Sequence, residues 1–197
     1  FRDKEPIKIA NTIDATSAGF RFIHQELNIV PEISVAENIL LSQDLPTLFG
    51  IKIDWTKVYR RAALALERLG VTHINVKSQA GDLTSGDKML VMIASAFVAE
   101  EEASPYLYVF DEPTAALTDQ ESEMLFSAMT KLKKKGAALL YVSHRIDEIM
   151  KVCDDISILR DGVLVKSTEI KNLKKAEIIK FMTGRELKDS YPPRTAK

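Results

Sequence analysis

The sequence predicts an α/β fold: a parallel sheet core with a helical subdomain inserted into it. Three observations predict this. From Leu107 to Leu159 short apolar runs alternate with helical patterns, in the order strand, helix, strand, helix, strand. That alternation implies a parallel sheet with helical crossovers. Between about Pro31 and Val98 the pattern is helices and loops, with no strand. Finally, the apolar run Tyr106–Phe110 ends on two adjacent acids, Asp111 and Glu112, and then Pro113.

The elements follow in order. Phe20–Ile23, Leu107–Phe110, Ala138–Val142 and Ile156–Leu159 read as strands. In the middle, Asp54 can cap a helix that runs through Leu69 and closes at Gly70. A second helix follows Gly86. It is apolar on most faces (Met89, Leu90, Met92, Ile93, Ala96, Phe97), so it should be buried. After the acids, Thr118 and Glu121 form a capping box for a helix carrying Leu125, Ala128, Met129 and Leu132. Ile146, Ile149, Met150 and Cys153 mark another helix. Asp161-Gly162 is a hairpin turn into Val163–Val165. A last helix, about Lys175 to Met182, stops at Gly184. These elements divide the chain into 1–30 (partial core), 31–101 (helical subdomain), 102–184 (core) and a linker-like tail, 185–197, with Pro192-Pro193.

Composition narrows the function classes. In 197 residues, 46% are hydrophobic, which is enough for a packed core and argues against disorder. Lys and Arg number 27 against 28 Asp and Glu, a balance that argues against a tight, non-specific grip on nucleic acid, and no nucleic acid is expected as a partner. The single cysteine, Cys153, permits no internal disulfide and suits a reducing compartment. The longest apolar run, Val91–Ala99, is too short to span a bilayer.

The two acids carry the chemistry. In open parallel sheets ligands sit outside the carboxyl ends of the strands. Neighbouring residues at a strand end point in different directions, so Asp111 and Glu112 can take separate tasks. In phosphoryl transfer one acid holds Mg²⁺ and another orients the attacking water.

The segment YLYVFDEPTAAL (Tyr106–Leu117) resembles the Walker B motif and D-loop of the ATP-binding cassette (ABC) ATPases. Other motifs of that family appear in order. Phe22-Ile23-His24-Gln25-Glu26 resembles the Q-loop, Leu83-Thr84-Ser85-Gly86-Asp87 stands at the signature motif, and Tyr141-Val142-Ser143-His144-Arg145 resembles the switch region. The resemblance covers Phe20 to Gly184. Val30–Ile39, Asp111–Thr118 and Phe181–Leu187 look most like the first cassette of bacterial sugar importers.

The resemblance implies a P-loop NTPase-like core, the cofactors ATP and Mg²⁺, and a set of roles. Asp111 would hold Mg²⁺ and Glu112 would polarise the attacking water. Gln25 would sense Mg²⁺ and the γ-phosphate where the transmembrane partner docks. His144 would contact the γ-phosphate. Thr84, Ser85 and Gly86 would meet ATP bound on the opposing cassette. Ala116 and Leu117 of the D-loop would touch that partner. The implied partners are transmembrane permease subunits and a second cassette, with a cytoplasmic location at the inner face of the membrane. Here Thr84 stands for the family's serine, Ser85 for its first glycine and Asp87 for its glutamine. Asp87 adds negative charge where phosphate should sit, although an acid there also favours the helix dipole. His24 is assigned to packing or surface, and His73 receives no role.

No G-x-x-x-x-G-K-[ST] run, the phosphate cradle of such ATPases, occurs in the sequence. In the family it precedes the Q-loop, and the sequence begins at Phe1. The resemblance therefore implies a fragment of a longer cassette, incomplete at its N-terminus. By itself it should neither bind nor hydrolyse ATP usefully. A natural paralogue without the loop is the alternative. Two rival functions remain at this point. One is a soluble cassette ATPase of DNA repair or translation, which often carries coiled coils or basic inserts that this chain lacks. The other is a non-catalytic regulatory cassette.

Overall fold

A computed structural model describes residues 8–24, 28–41, 43–98 and 107–184. The chain divides into two compact units, Phe1–Val142 and Ser143–Lys197.

In the first unit the sheet is three-stranded and wholly parallel. Strands β1 (Phe20–Ile23), β4 (Leu107–Asp111) and β5 (Ala138–Val142) lie in the order β1-β4-β5. β4 is therefore central. Its register pairs Phe110 with Ile23 on one side and with Tyr141 on the other. Helices α1 (Thr12–Ser17), α2 (Val35–Leu40), α3 (Trp55–Leu69), α4 (Ser85–Val98) and α5 (Asp119–Lys134) complete the unit. Helix α1, capped by Asn11, carries no apolar periodicity and was not expected.

The side chains of a strand alternate between faces. One face of the sheet carries Ile23, Tyr108 and Phe110, all essentially inaccessible. Phe97 of α4 covers Tyr108, with ring centroids 5.8 Å apart, and Phe126 of α5 meets Tyr141 edge-on at 6.4 Å. The opposite face carries Phe22, Leu140 and Val142, which remain 50%, 52% and 46% exposed.

The middle of the chain folds as helices around its own core. Asp54 caps α3 by accepting from the Lys57 amide at 3.2 Å, and Gly70 ends it at φ 81°. The buried face of α3 is Val58, Ala62, Ala65, Leu66 and Leu69, the spacing of one helical stripe. Helix α4 is buried on most sides, as its composition predicts. Ser34 and Glu37 form a capping box that starts α2. Buried Asn38 donates to the Val30 and Ser34 carbonyls, at 3.0 Å each, which ties the preceding loop to α2. One expectation fails in this region. A short antiparallel pair, β2 (Thr47–Leu48) and β3 (Lys52–Ile53), interrupts the helices. Two residues per strand are too few for alternation to show in a sequence.

In the second unit, α6 (Ile146–Val152) precedes β6 (Asp155–Arg160) and β7 (Val163–Glu169), and α7 (Lys175–Thr183) follows. Asp161 and Gly162, at φ 52° and 77°, make the expected hairpin turn, and Gly184 ends α7 at φ 71°. The expectation that the Ile156–Leu159 strand extends the parallel sheet is corrected. Among the described residues β6 is bonded to β7 alone, in a two-stranded antiparallel sheet. The two-residue turn makes that pairing local, whereas a parallel partner would have to come from elsewhere in the chain.

Candidate functional site

The Walker B-like acids stand at the carboxyl end of the central strand. Asp111 is the last residue of β4, level with Val142 of β5, and is exposed. The Glu112 amide donates to the Val142 carbonyl at 2.9 Å, so the backbone pairing runs one residue past the strand. Glu112 then turns the chain at φ 45°, a left-handed conformation that non-glycine residues adopt at a cost. The turn redirects the chain between two neighbouring acids, and Glu112 is half-buried while Asp111 is not. Buried Pro113 and Thr114 anchor the turn. The Ala115 amide bonds to the Glu112 carbonyl at 3.2 Å and the Leu117 amide to the Thr114 carbonyl at 3.2 Å. This tight loop leaves Ala116 exposed and Leu117 half-buried. Thr118 then caps α5. Its amide and hydroxyl donate to the Glu121 carboxylate at 2.7 and 2.8 Å.

Strand β1 runs parallel to β4 and ends level with Phe110. The next residue, His24, therefore stands at the same sheet edge as Asp111; it is exposed and stacked on Phe22, with centroids 6.0 Å apart. Gln25 lies outside the described residues, as do Glu100–Glu102 and the tail from Arg185. His144 follows β5 at the start of the second unit and is exposed.

The signature-like segment opens α4. The Thr84 hydroxyl accepts from the Asp87 amide at 3.1 Å and donates to the Asp87 carboxylate at 2.8 Å. This reciprocal cap starts the helix. Thr84 and Ser85 are exposed. Gly86 is buried, and a Cβ there would stand 2.9 Å from one carboxylate oxygen of Glu121 and 3.1 Å from the other. Glycine thus permits close approach of α4 to the cap of α5. The cap joins the loop bearing Ala116 and Leu117 to the start of α4, a link that no local sequence signal marks.

His73, which the sequence left without a role, belongs to this cluster. Its Nε2 lies 2.7 Å from the second carboxylate oxygen of Asp87. Burial alone would raise the Asp87 pKa. The hydrogen bonds from His73 and Thr84, and the charge of His73, outweigh it and hold the carboxyl below its ordinary value. The expected bare charge is therefore tied on both oxygens. The pairing spans the loop between α3 and α4, and such a contact leaves no trace in periodicity or motif spacing.

Asp111 offers what a magnesium ion takes from protein, a single hard carboxylate beside a phosphate-bearing substrate. Among the described residues no group of three His, Cys, Asp or Glu could hold a metal by itself. A magnesium ion shared with phosphates needs only one or two carboxylates, so Asp111 fits the role.

The parallel sheet ends on adjacent acids, and the last helix of the helical region starts at an exposed cap. Solved structures share this fold. The ATP-binding cassette MJ0796, in a post-hydrolysis dimer with ADP and Pi, aligns with a TM-score of 0.67 at 20% identity, over 82% of this chain and 68% of that one. CbiO1 from Clostridium perfringens aligns at 0.65 and 21% identity, over 86% and 65%. The sequence model of the family described as ABC transporter matches residues 2–115, and the chain belongs to that family. It is 43% identical over 194 residues to the ribose import ATP-binding protein RbsA of Chromobacterium violaceum, covering 98% of this chain and 38% of that protein. It is 41% identical over 186 residues to RbsA of Caldanaerobacter subterraneus, covering 94% and 36%. The chain thus spans less than two fifths of either relative's length. Among the described residues no helix is long and apolar enough to cross a membrane.

Proposed function

We propose that the chain is part of the ATP-hydrolysing subunit of a membrane importer for a sugar. The observation that carries this reading is the acid pair at the end of the central strand, with Glu112 in a left-handed turn directly after Asp111. The relatives named ribose import ATP-binding proteins support a sugar as cargo. In this reading residues 31–101 form the helical subdomain of a cassette, 1–30 and 102–184 its core and 185–197 a linker. Permease subunits and a second cassette are the partners, at the inner face of the cell membrane, and no nucleic acid is involved.

Asp111 would hold Mg²⁺, which when bound would supply charge neutralisation for the transferring phosphoryl group. Glu112 accepts a proton from the attacking water and aims it. Gln25 and His144 would serve the γ-phosphate by resemblance to the family's motifs, and Ala116 and Leu117 the opposing cassette. Ser85 and Gly86 present first-turn amides of α4, which have no partner within the helix, to the phosphate bound on that cassette. Thr84 serves that contact by capping the turn, since its hydroxyl is bonded to Asp87 in both directions.

The test is Glu112→Gln in the assembled importer. The amide keeps the shape and loses the proton acceptor. Mg-ATP binding should persist, while steady-state phosphate release falls by about 10²–10⁴. Release at the wild-type rate would remove Glu112 from the base role.

A further inference from the structure

The Thr84–Asp87 cap is common in kind, but His73 extends it. The imidazole reaches across from the loop after α3 to the carboxylate oxygen that Thr84 does not use. Three side chains therefore form one line, His73 to Asp87 to Thr84, at the exposed start of α4. The Asp87 side chain is 16% exposed and that of His73 57%, so the carboxylate is shielded and the imidazole is exposed.

We propose that His73 is a positioning residue for the phosphate-facing end of α4: it pins Asp87 onto the Thr84 hydroxyl and offsets its charge. A phosphate can then approach the Ser85 and Gly86 amides without meeting an unbalanced carboxylate. The inference rests on reading residues 83–87 as the segment that meets ATP on the opposing cassette.

The physics has a definite sign. A carboxylate beside a helix start repels an incoming phosphate, and an imidazole whose Nε2 lies 2.7 Å from one of its oxygens offsets that repulsion. The lowered pKa of Asp87 gives stability that is present above the ordinary carboxylate range and lost as pH falls through the lowered value.

Among the described residues, other charged groups also stand near α4. Lys88 donates to the Gly81 carbonyl at 3.1 Å, and Asp82 is exposed in the turn before the cap. Glu121 of α5 is engaged by Thr118, and Glu37 of α2 by Ser34. Arg68 of α3 donates to the Phe97 carbonyl, near the other end of the helix.

Two measurements test the proposal. The first is a double-mutant cycle of H73Q, D87N and the pair, read by urea unfolding of the whole chain. The expected coupling is severalfold in the folding constant. No coupling would overturn the contact itself. The second is ATP turnover of the assembled importer. H73Q should lower kcat severalfold and leave the Mg-ATP KM within about twofold. In a D87N background H73Q should change nothing, because no charge remains to offset. An equal loss in both backgrounds would overturn the positioning role. Ser85→Glu tests the underlying reading separately. It places a carboxylate at the amides and should abolish turnover, and unchanged turnover would overturn the signature assignment and this inference with it.

Discussion

The helices of residues 31–98 and the three-stranded sheet sit in one compact unit, yet they finish their cores differently. Helices α2, α3 and α4 bury their apolar residues on one another: Val35, Ile39, Leu40, Val58, Ala62, Leu66, Leu90 and Ile93 are each at most 2% exposed. The sheet closes one face only. Ile23, Tyr108 and Phe110 are sealed beneath α4 and α5, while Phe22, Leu140 and Val142 on the other side stay about half in solvent. Parallel sheets normally bury both faces, because their crossover helices fall on both. The helical region draws on contacts close in the chain. The sheet joins strands from three distant stretches, and the acids stand on its central strand.

The contrast can be broken by substitution. Leu90 is fully buried in α4, so Leu90→Ala should cost about 2–5 kcal/mol by urea unfolding. A loss below about 1 kcal/mol would show that the helical core is loosely packed.

A smaller effect sharpens the boundary between the two regions. Gly86 touches the Glu121 carboxylate, where α4 meets the cap of α5. Gly86→Ala gains about 1 kcal/mol of helix propensity and displaces a cap worth about 1 kcal/mol, so the net change should be small. With Glu121→Ala already made, the obstruction is gone. The same change should then stabilise by about 0.5–1 kcal/mol. Equal effects in both backgrounds would mean that the close approach does not restrain α4.

The smallest effect belongs to the open face. Leu140→Ser should shift stability by no more than about 0.5 kcal/mol, since Leu140 is 52% exposed. A large loss in the unfolding of this chain would mean that the face is covered in solution.

Much of this was legible in the sequence because the signals are local. Short apolar runs marked β1, β4 and β5. Thr118 with Glu121, Asp54 with Gly70, and Asp161-Gly162 fixed their caps and turn, since each depends on residues a few positions apart. Asp111 and Glu112 were visible as acids at a strand end because strand termination and charge appear in one short run. The left-handed turn at Glu112 was not visible, for it is imposed by the Val142 carbonyl of a neighbouring strand and by buried Pro113 and Thr114. The partner of Ile156–Leu159 was misjudged because an apolar strand carries no mark of which edge it joins. The partners of Gly86 and Asp87 also came only from tertiary structure. Glu121 and His73 reach them across helix junctions, and such approach is set by the packing of α3, α4 and α5, which no spacing along the chain encodes.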